Sequence, residues 1–204
     1  MVPAPRVYLL SPARTNSLRA GQLAHSETPL GVALRSQQGA PLGEAFAYLS
    51  SLYFRGKLAY ASRFGATSLA VPGALVITPG HGLCRPSTRV RAADLAKMGE
   101  IEVDADNPAY VKPLLRDIAR LVKSAPQETE FVLLGSIATP KYVEPLLSVV
   151  QERLLFPREF VGRGDKSRGG MLLRAARDGA QLEYMPVSGA VLHGPRARKL
   201  AALR

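Results

Sequence analysis

"FVLLGSIATPKYVEPLLSVV", residues 131–150, carries a strand, a turn and a helix start in one stretch. Phe131–Leu134 is an unbroken apolar run, the pattern of a strand covered on both faces. Gly135-Ser136 interrupts it. Thr139-Pro140 then opens a helix, inside which Val143, Leu146, Leu147 and Val150 recur at helical spacing.

The alternation continues in both directions. Upstream, Asn107-Pro108 opens a helix striped by Val111, Leu114, Leu115, Ile118, Leu121 and Val122. Ala74–Thr78 reads as a buried strand stopped by Pro79-Gly80, and Val7–Leu10 as a strand running into Ser11-Pro12. From Gly43 to Phe64, apolar groups at Phe46, Leu49, Leu52/Tyr53, Tyr60 and Phe64 predict one helix, ended by Gly65. Residues 20–42, rich in Gly, Gln, Ser and Pro, read as a loop or mobile excursion. Downstream, a Gly162–Gly170 loop leads into a helix of about Ser167 to Asp178, and Leu182–Met185 is the last strand. The prediction is a single α/β domain over 1–204, with a mixed or mainly parallel sheet flanked by helices and a basic tail at 193–204.

Composition narrows the function classes. No apolar run reaches the roughly 18 residues of a membrane helix, and "MVPAPRVYLL" makes a poor signal peptide, so the expectation is a cytoplasmic protein without membrane contact. The single cysteine, Cys84, excludes an internal disulfide. His81 and Cys84 have no second ligand pair, so no metal is expected, and no cofactor is implied. The net charge is +11. Residues 1–72 hold 7 basic and 2 acidic groups, 73–152 hold 9 and 10, and 153–204 hold 11 and 4. Positive charge segregated to the two ends suits a polyanion, so DNA or a nucleotide is the expected partner; a solvated basic surface is the plainer reading.

If the strands are parallel, the turns after them gather on one rim, bringing together Arg14, Asn16, His81, Arg85, Ser136 and Thr139. The Gly162–Gly170 loop adds Arg163, Lys166, Ser167 and Arg168; its glycines and the helix that follows suit an anion, and the plainer reading is a flexible loop in which Asp165 or Ser167 caps the helix. Walker spacing fails because position 159 is Glu. Asp165 is the one carboxylate in this loop, placed to orient a sugar hydroxyl, to act as acid or base, or only to pair with Arg163. His81, between two glycines, either faces a ligand or bonds to backbone. Arg55, Lys57 and Arg63 alternate with Tyr53 and Tyr60, a pattern for stacking on bases or for an ordinary core face with charges outside.

Four segments, taken in order, resemble one family. "LLSPART" (9–15) resembles the "ISPAKT" signature of the YaaA family of peroxide-stress-resistance proteins, with Arg14 in place of Lys. "GKLAYASRF" (56–64) is similar to its "DKLAELNAARF" helix at Lys57, Leu58, Ala59, Arg63 and Phe64. "GHGLCRPSTRVRAADLAKMG" (80–99) resembles its "GLYGVLRPLD…YRLEMG" segment at Gly82, Leu83, Arg85, Pro86, Met98 and Gly99. "KSRGGMLLRAARDG" (166–179) resembles its late "K-x-x-R-G-x-M-A-R" element at Lys166, Arg168 or its neighbours, Gly170, Met171 and Arg174. The resemblance implies a mixed α/β fold, DNA binding and a role in limiting oxidative DNA damage, without a settled catalytic activity. This chain is shorter than typical members before the Gly43 helix, where the family carries a hairpin-like DNA-binding element.

The expected function is therefore DNA binding of the YaaA type, with a nucleotide phosphate held by Arg14, Asn16, Arg55, Lys57, Arg63, Arg85, Arg163, Lys166, Ser167, Arg168 and Arg174. The alternative is an enzyme on nucleotides or DNA bases, an N-glycosidase or related transferase, with Asp165 as acid/base and His81 orienting.

Overall fold

The computed structural model describes residues 4–65 and 71–190. The chain runs through β1 (Arg6–Leu10), α1 (Leu18–His25), α2 (Pro29–Arg35), β2 (Ala40–Pro41), α3 (Leu42–Ser50) and α4 (Leu52–Phe64). It continues through β3 (Ala74–Thr78), β4 (Gly82–Cys84), β5 (Arg89–Val90), α5 (Ala92–Glu100) and α6 (Pro108–Ser124). Then come β6 (Glu130–Leu134), α7 (Pro140–Val150), β7 (Leu154–Pro157), α8 (Asp165–Asp178) and β8 (Tyr184–Pro186). No helix among the described residues is long and apolar enough to cross a membrane.

Six strands form one sheet in the order β4-β3-β1-β6-β7-β8, and β2 pairs with β5 in a separate ribbon. β1 lies between β3 and β6 and runs parallel to both, with Leu10 opposite Val76 on one side and Leu134 on the other. β7 extends the parallel block, while β4 and β8 close its two edges antiparallel. The fold is thus the mixed, mainly parallel α/β domain expected. Parallel pairing explains the unbroken apolar runs: helices cover both faces, so every residue from Val7 to Leu10 and from Phe131 to Leu134 is buried. α4 packs on β1 and β3, and α6 and α7 pack on each other and on β3, β4 and β7; with right-handed crossovers, which are the rule, the strand order places α4 on the face opposite α6 and α7. α8 packs on α4.

The contact between α4 and α8 is made by backbone. A Cβ added at Gly56 would lie 2.6 Å from the Gly169 carbonyl oxygen, and one at Gly169 would lie 2.7 Å from the Leu52 oxygen. Gly169 is therefore an interior helix position that admits a close crossing, and it and Gly170 belong to α8 and not to an anion loop. At the other end of the sheet, the Tyr184 hydroxyl bonds to Tyr8 at 2.9 Å and to Tyr60, whose oxygen also accepts from the Leu182 N–H at 2.9 Å. Arg6 lies over the Tyr184 ring and pairs with Glu130 at 2.7 Å.

Several boundaries differ from the sequence reading. Residues 20–42 hold most of α1 and all of α2, not a loop. The capping groups were present: Ser17 Oγ accepts from the Ala20 N–H at 3.3 Å, and Thr28 Oγ1 from the Gly31 N–H at 3.2 Å before Pro29. Leu23 and Leu34 anchor the two helices in the core. The single helix expected over 43–64 is two, divided at Ser51, whose φ of 50° and ψ of −123° belong to glycine geometry. α8 starts at Asp165, ahead of Ser167, and β8 at Tyr184. The Asn107 cap holds, its oxygen accepting from the Ala109 N–H at 3.1 Å. The tail at 193–204 lies outside the described residues.

Candidate functional site at the switch point

The next parallel strand after β1 is β3, on one side; β6 comes later and takes the other. The two crossovers diverge, which makes the β1/β6 boundary the topological switch point, where doubly wound sheets open a crevice beyond their carboxyl ends. Two crevices lie there, of about 430 and about 590 Å³, and they share Pro12, Ala13, Arg14, Lys141 and Tyr142. They are two compartments of one groove.

The smaller compartment is lined by hydroxyls and cations: Ser11, Ser17 and Ser136 with Arg14, Arg19 and Lys141. Three helices start around it. Ser17 caps α1, Lys141 is in the first turn of α7, and Asp165 is the first residue of α8. Neither α7 nor α8 receives a side-chain cap among the described residues, so their first-turn N–H groups have no side-chain acceptor there. Uncapped N-termini and three cations against one carboxylate make a positive hollow. Arg14 Nε donates to Asn16 Oδ1 at 2.9 Å, which orients the guanidinium at the mouth.

Beneath this compartment lies Lys57, fully buried. Its Nζ donates to the Ser11 carbonyl at 2.6 Å and to Ser11 Oγ at 3.0 Å, and it faces the rings of Tyr53 at 4.3 Å and Phe54 at 4.9 Å. Ser11 Oγ in turn donates to the Leu134 carbonyl at 3.3 Å, tying the end of β1 to the end of β6. Burial pushes the Lys57 ammonium down to about 7, against an opposing pull from Asp165 and with a smaller push from Arg168. Tyr53 lines the same compartment at 6% exposure. Burial holds its phenol well above the usual range; among the described residues no atom meets its hydroxyl in hydrogen-bonding geometry, although Arg168 is close enough to favour the ionised form.

The predicted cationic rim does not converge as expected. Of the residues proposed from sequence, Arg14, Asn16, Ser136 and Asp165 line the groove. Arg168 is buried, donating Nε and a terminal nitrogen to the Phe160 carbonyl at 3.3 and 3.1 Å, with Asp165 at 3.7 Å. It organises the turn before α8 and is not available to a phosphate. Lys57 is likewise internal. Arg163 approaches Ser167 at 3.4 Å, Lys166 is exposed, and none of the three lines either compartment. Arg55 and Arg63 are exposed on α4, Arg63 over the Phe64 ring, and Arg174 is half-buried on α8. His81 and Arg85 are exposed around the β4 hairpin, away from Asp165's compartment. Tyr53 and Tyr60 are core residues, as the plainer reading had it.

Arg19, Lys141 and Tyr142 escaped the sequence reading. Arg19 fell next to a stretch read as a loop. Lys141 and Tyr142 sit in the first turn after the switch strand, a signal that becomes visible only once strand order is known.

Fold and groove together define a doubly wound α/β protein with an open switch point. Comparison with known protein families, curated proteins and solved structures gave no match.

Proposed function

We propose that the protein binds nucleic acid, DNA in the first instance, by seating one nucleotide phosphate in the smaller compartment of the switch-point groove. The observation that carries this reading is the convergence of three helix starts with Arg14, Arg19 and Lys141 on one hollow. The net charge of +11 supports a polyanion beyond that single phosphate. The YaaA-like segments support the same reading by their positions: Ser11–Thr15 of the first segment line the groove, Gly56–Phe64 lies in α4, and Met98-Gly99 lines the larger compartment. A role in protecting DNA under oxidative stress follows from that likeness.

The test is fluorescence anisotropy with single-stranded and duplex DNA, each with and without a 5′-phosphate, over a salt series. Lys141→Ala should weaken binding and lower the slope of log affinity against log salt by about one. Equal affinity and an equal slope for the variant would remove the site. Asp165 keeps the enzymatic alternative open, since its carboxylate shares a compartment with the cations. His81 lines neither compartment. Product analysis of nucleotides and oligonucleotides incubated with the protein separates catalysis from binding.

A further inference from the structure

The larger compartment differs in chemistry from its neighbour. Its lining includes two carboxylates, Glu100 and Glu102, together with the apolar side chains of Met98 and Ile101 and the ring of Tyr142. Neither glutamate pairs with a cation among the described residues. A strand backbone alone would use the cationic compartment and leave this space unfilled. At about 590 Å³ it falls within the range of small-molecule pockets.

A carboxylate only accepts hydrogen bonds, and its two oxygens match two donors side by side. Among the Watson–Crick edges of the bases, guanine alone offers adjacent donors, N1–H and the N2 amino group. Adenine and cytosine each set one amino donor beside a ring acceptor, which a carboxylate repels. Resting on the phosphate site proposed above, we infer that the larger compartment is a base pocket selective for guanine. The phosphate stays with Lys141 and the helix starts, the ring lies over Met98 and Ile101, and its donor edge meets Glu100 and Glu102. Arg14, common to both compartments, bridges phosphate and base.

Calorimetry with the whole protein tests this using GMP, AMP, CMP, UMP, IMP and inorganic phosphate. GMP should bind at least about tenfold more tightly than AMP, the discrimination of one bidentate pair. IMP, which lacks the N2 amino group, should fall between them. The E100Q/E102Q variant should bring GMP to the level of AMP and leave inorganic phosphate unchanged; both glutamates are exposed and glutamine preserves their size. Strands beginning with 5′-phosphoguanosine and 5′-phosphoadenosine repeat the comparison in DNA, and a guanine preference in the strands alone assigns the pocket to a nucleotide within nucleic acid. If phosphate and all the nucleotides bind with no preference for guanine, in either form, the base pocket is wrong and the phosphate site stands. If neither phosphate nor any nucleotide or strand binds, the phosphate site itself is wrong.

Discussion

Lys57→Met is the sharpest perturbation that the structure offers. The ammonium is buried with Ser11 as its one hydrogen-bond partner among the described residues, and burial pushes its ionisation from 10.5 to about 7, a net penalty of ~5 kcal/mol when charged. Below 10.5 the unfolded chain holds this proton, whereas the folded chain gives it up down to about 7. The folded state binds fewer protons in that window, so this group makes the protein more stable as pH rises, by ~1.4 kcal/mol per unit. Methionine removes the titration, but leaves the Ser11 carbonyl and hydroxyl without their donor, at ~1–3 kcal/mol. Near pH 7 the variant should therefore be more stable than the parent by ~2 kcal/mol, and by about pH 9.5 that advantage should be lost. Urea unfolding followed by tyrosine fluorescence suits a chain with seven tyrosines and no tryptophan. Parallel stability curves for parent and variant across this range would show that Lys57 is not held down by burial.

Three further outcomes follow from the packing. Ser51→Gly should stabilise by ~1–2 kcal/mol, because φ of 50° with ψ of −123° strains any residue with a Cβ; an unchanged urea midpoint would contradict that strain. Gly169→Ala should destabilise by ~1–3 kcal/mol although alanine is the better helix former, since its methyl meets the Leu52 oxygen at 2.7 Å; a thermal scan showing a gain would mean that α4 and α8 have room. Tyr184→Phe should cost ~1–2 kcal/mol by removing the hydroxyl shared by Tyr8 and Tyr60, leaving the Leu182 N–H bond to Tyr60 intact; stability equal to the parent in chemical denaturation would show that the hydroxyl contributes nothing net.

The sheet was legible because its strands obey a local rule. Ala74–Thr78 and Phe131–Leu134 are short apolar runs stopped by Pro79-Gly80 and Gly135, and the structure keeps those limits. The Ser51 break was not legible, since neither glycine nor proline marks it; tertiary packing holds a serine where local preference forbids it. Residues 20–42 misled because composition outweighed two capping side chains, Ser17 and Thr28. The groove was half legible. Arg14 and Asp165 stand at element ends that sequence can locate, but which ends meet depends on strand order, and that hid Lys141 and Arg19. The glycine run at 162–170 misled for a different reason. Gly162, at φ 69°, serves a turn, whereas Gly169 serves a helix crossing, and a string of letters does not separate those two needs.

That crossing also governs what the groove can become. Where Gly56 meets Gly169, the joint has no side chain that a later substitution can trim or lengthen to retune it. Asp165, one turn away on α8, inherits its distance from Lys57 on α4 through this bare seam. A substitution at Arg14, Lys141, Glu100 or Glu102 therefore alters the lining of the groove, while the spacing of Asp165 from Lys57 stays set by backbone.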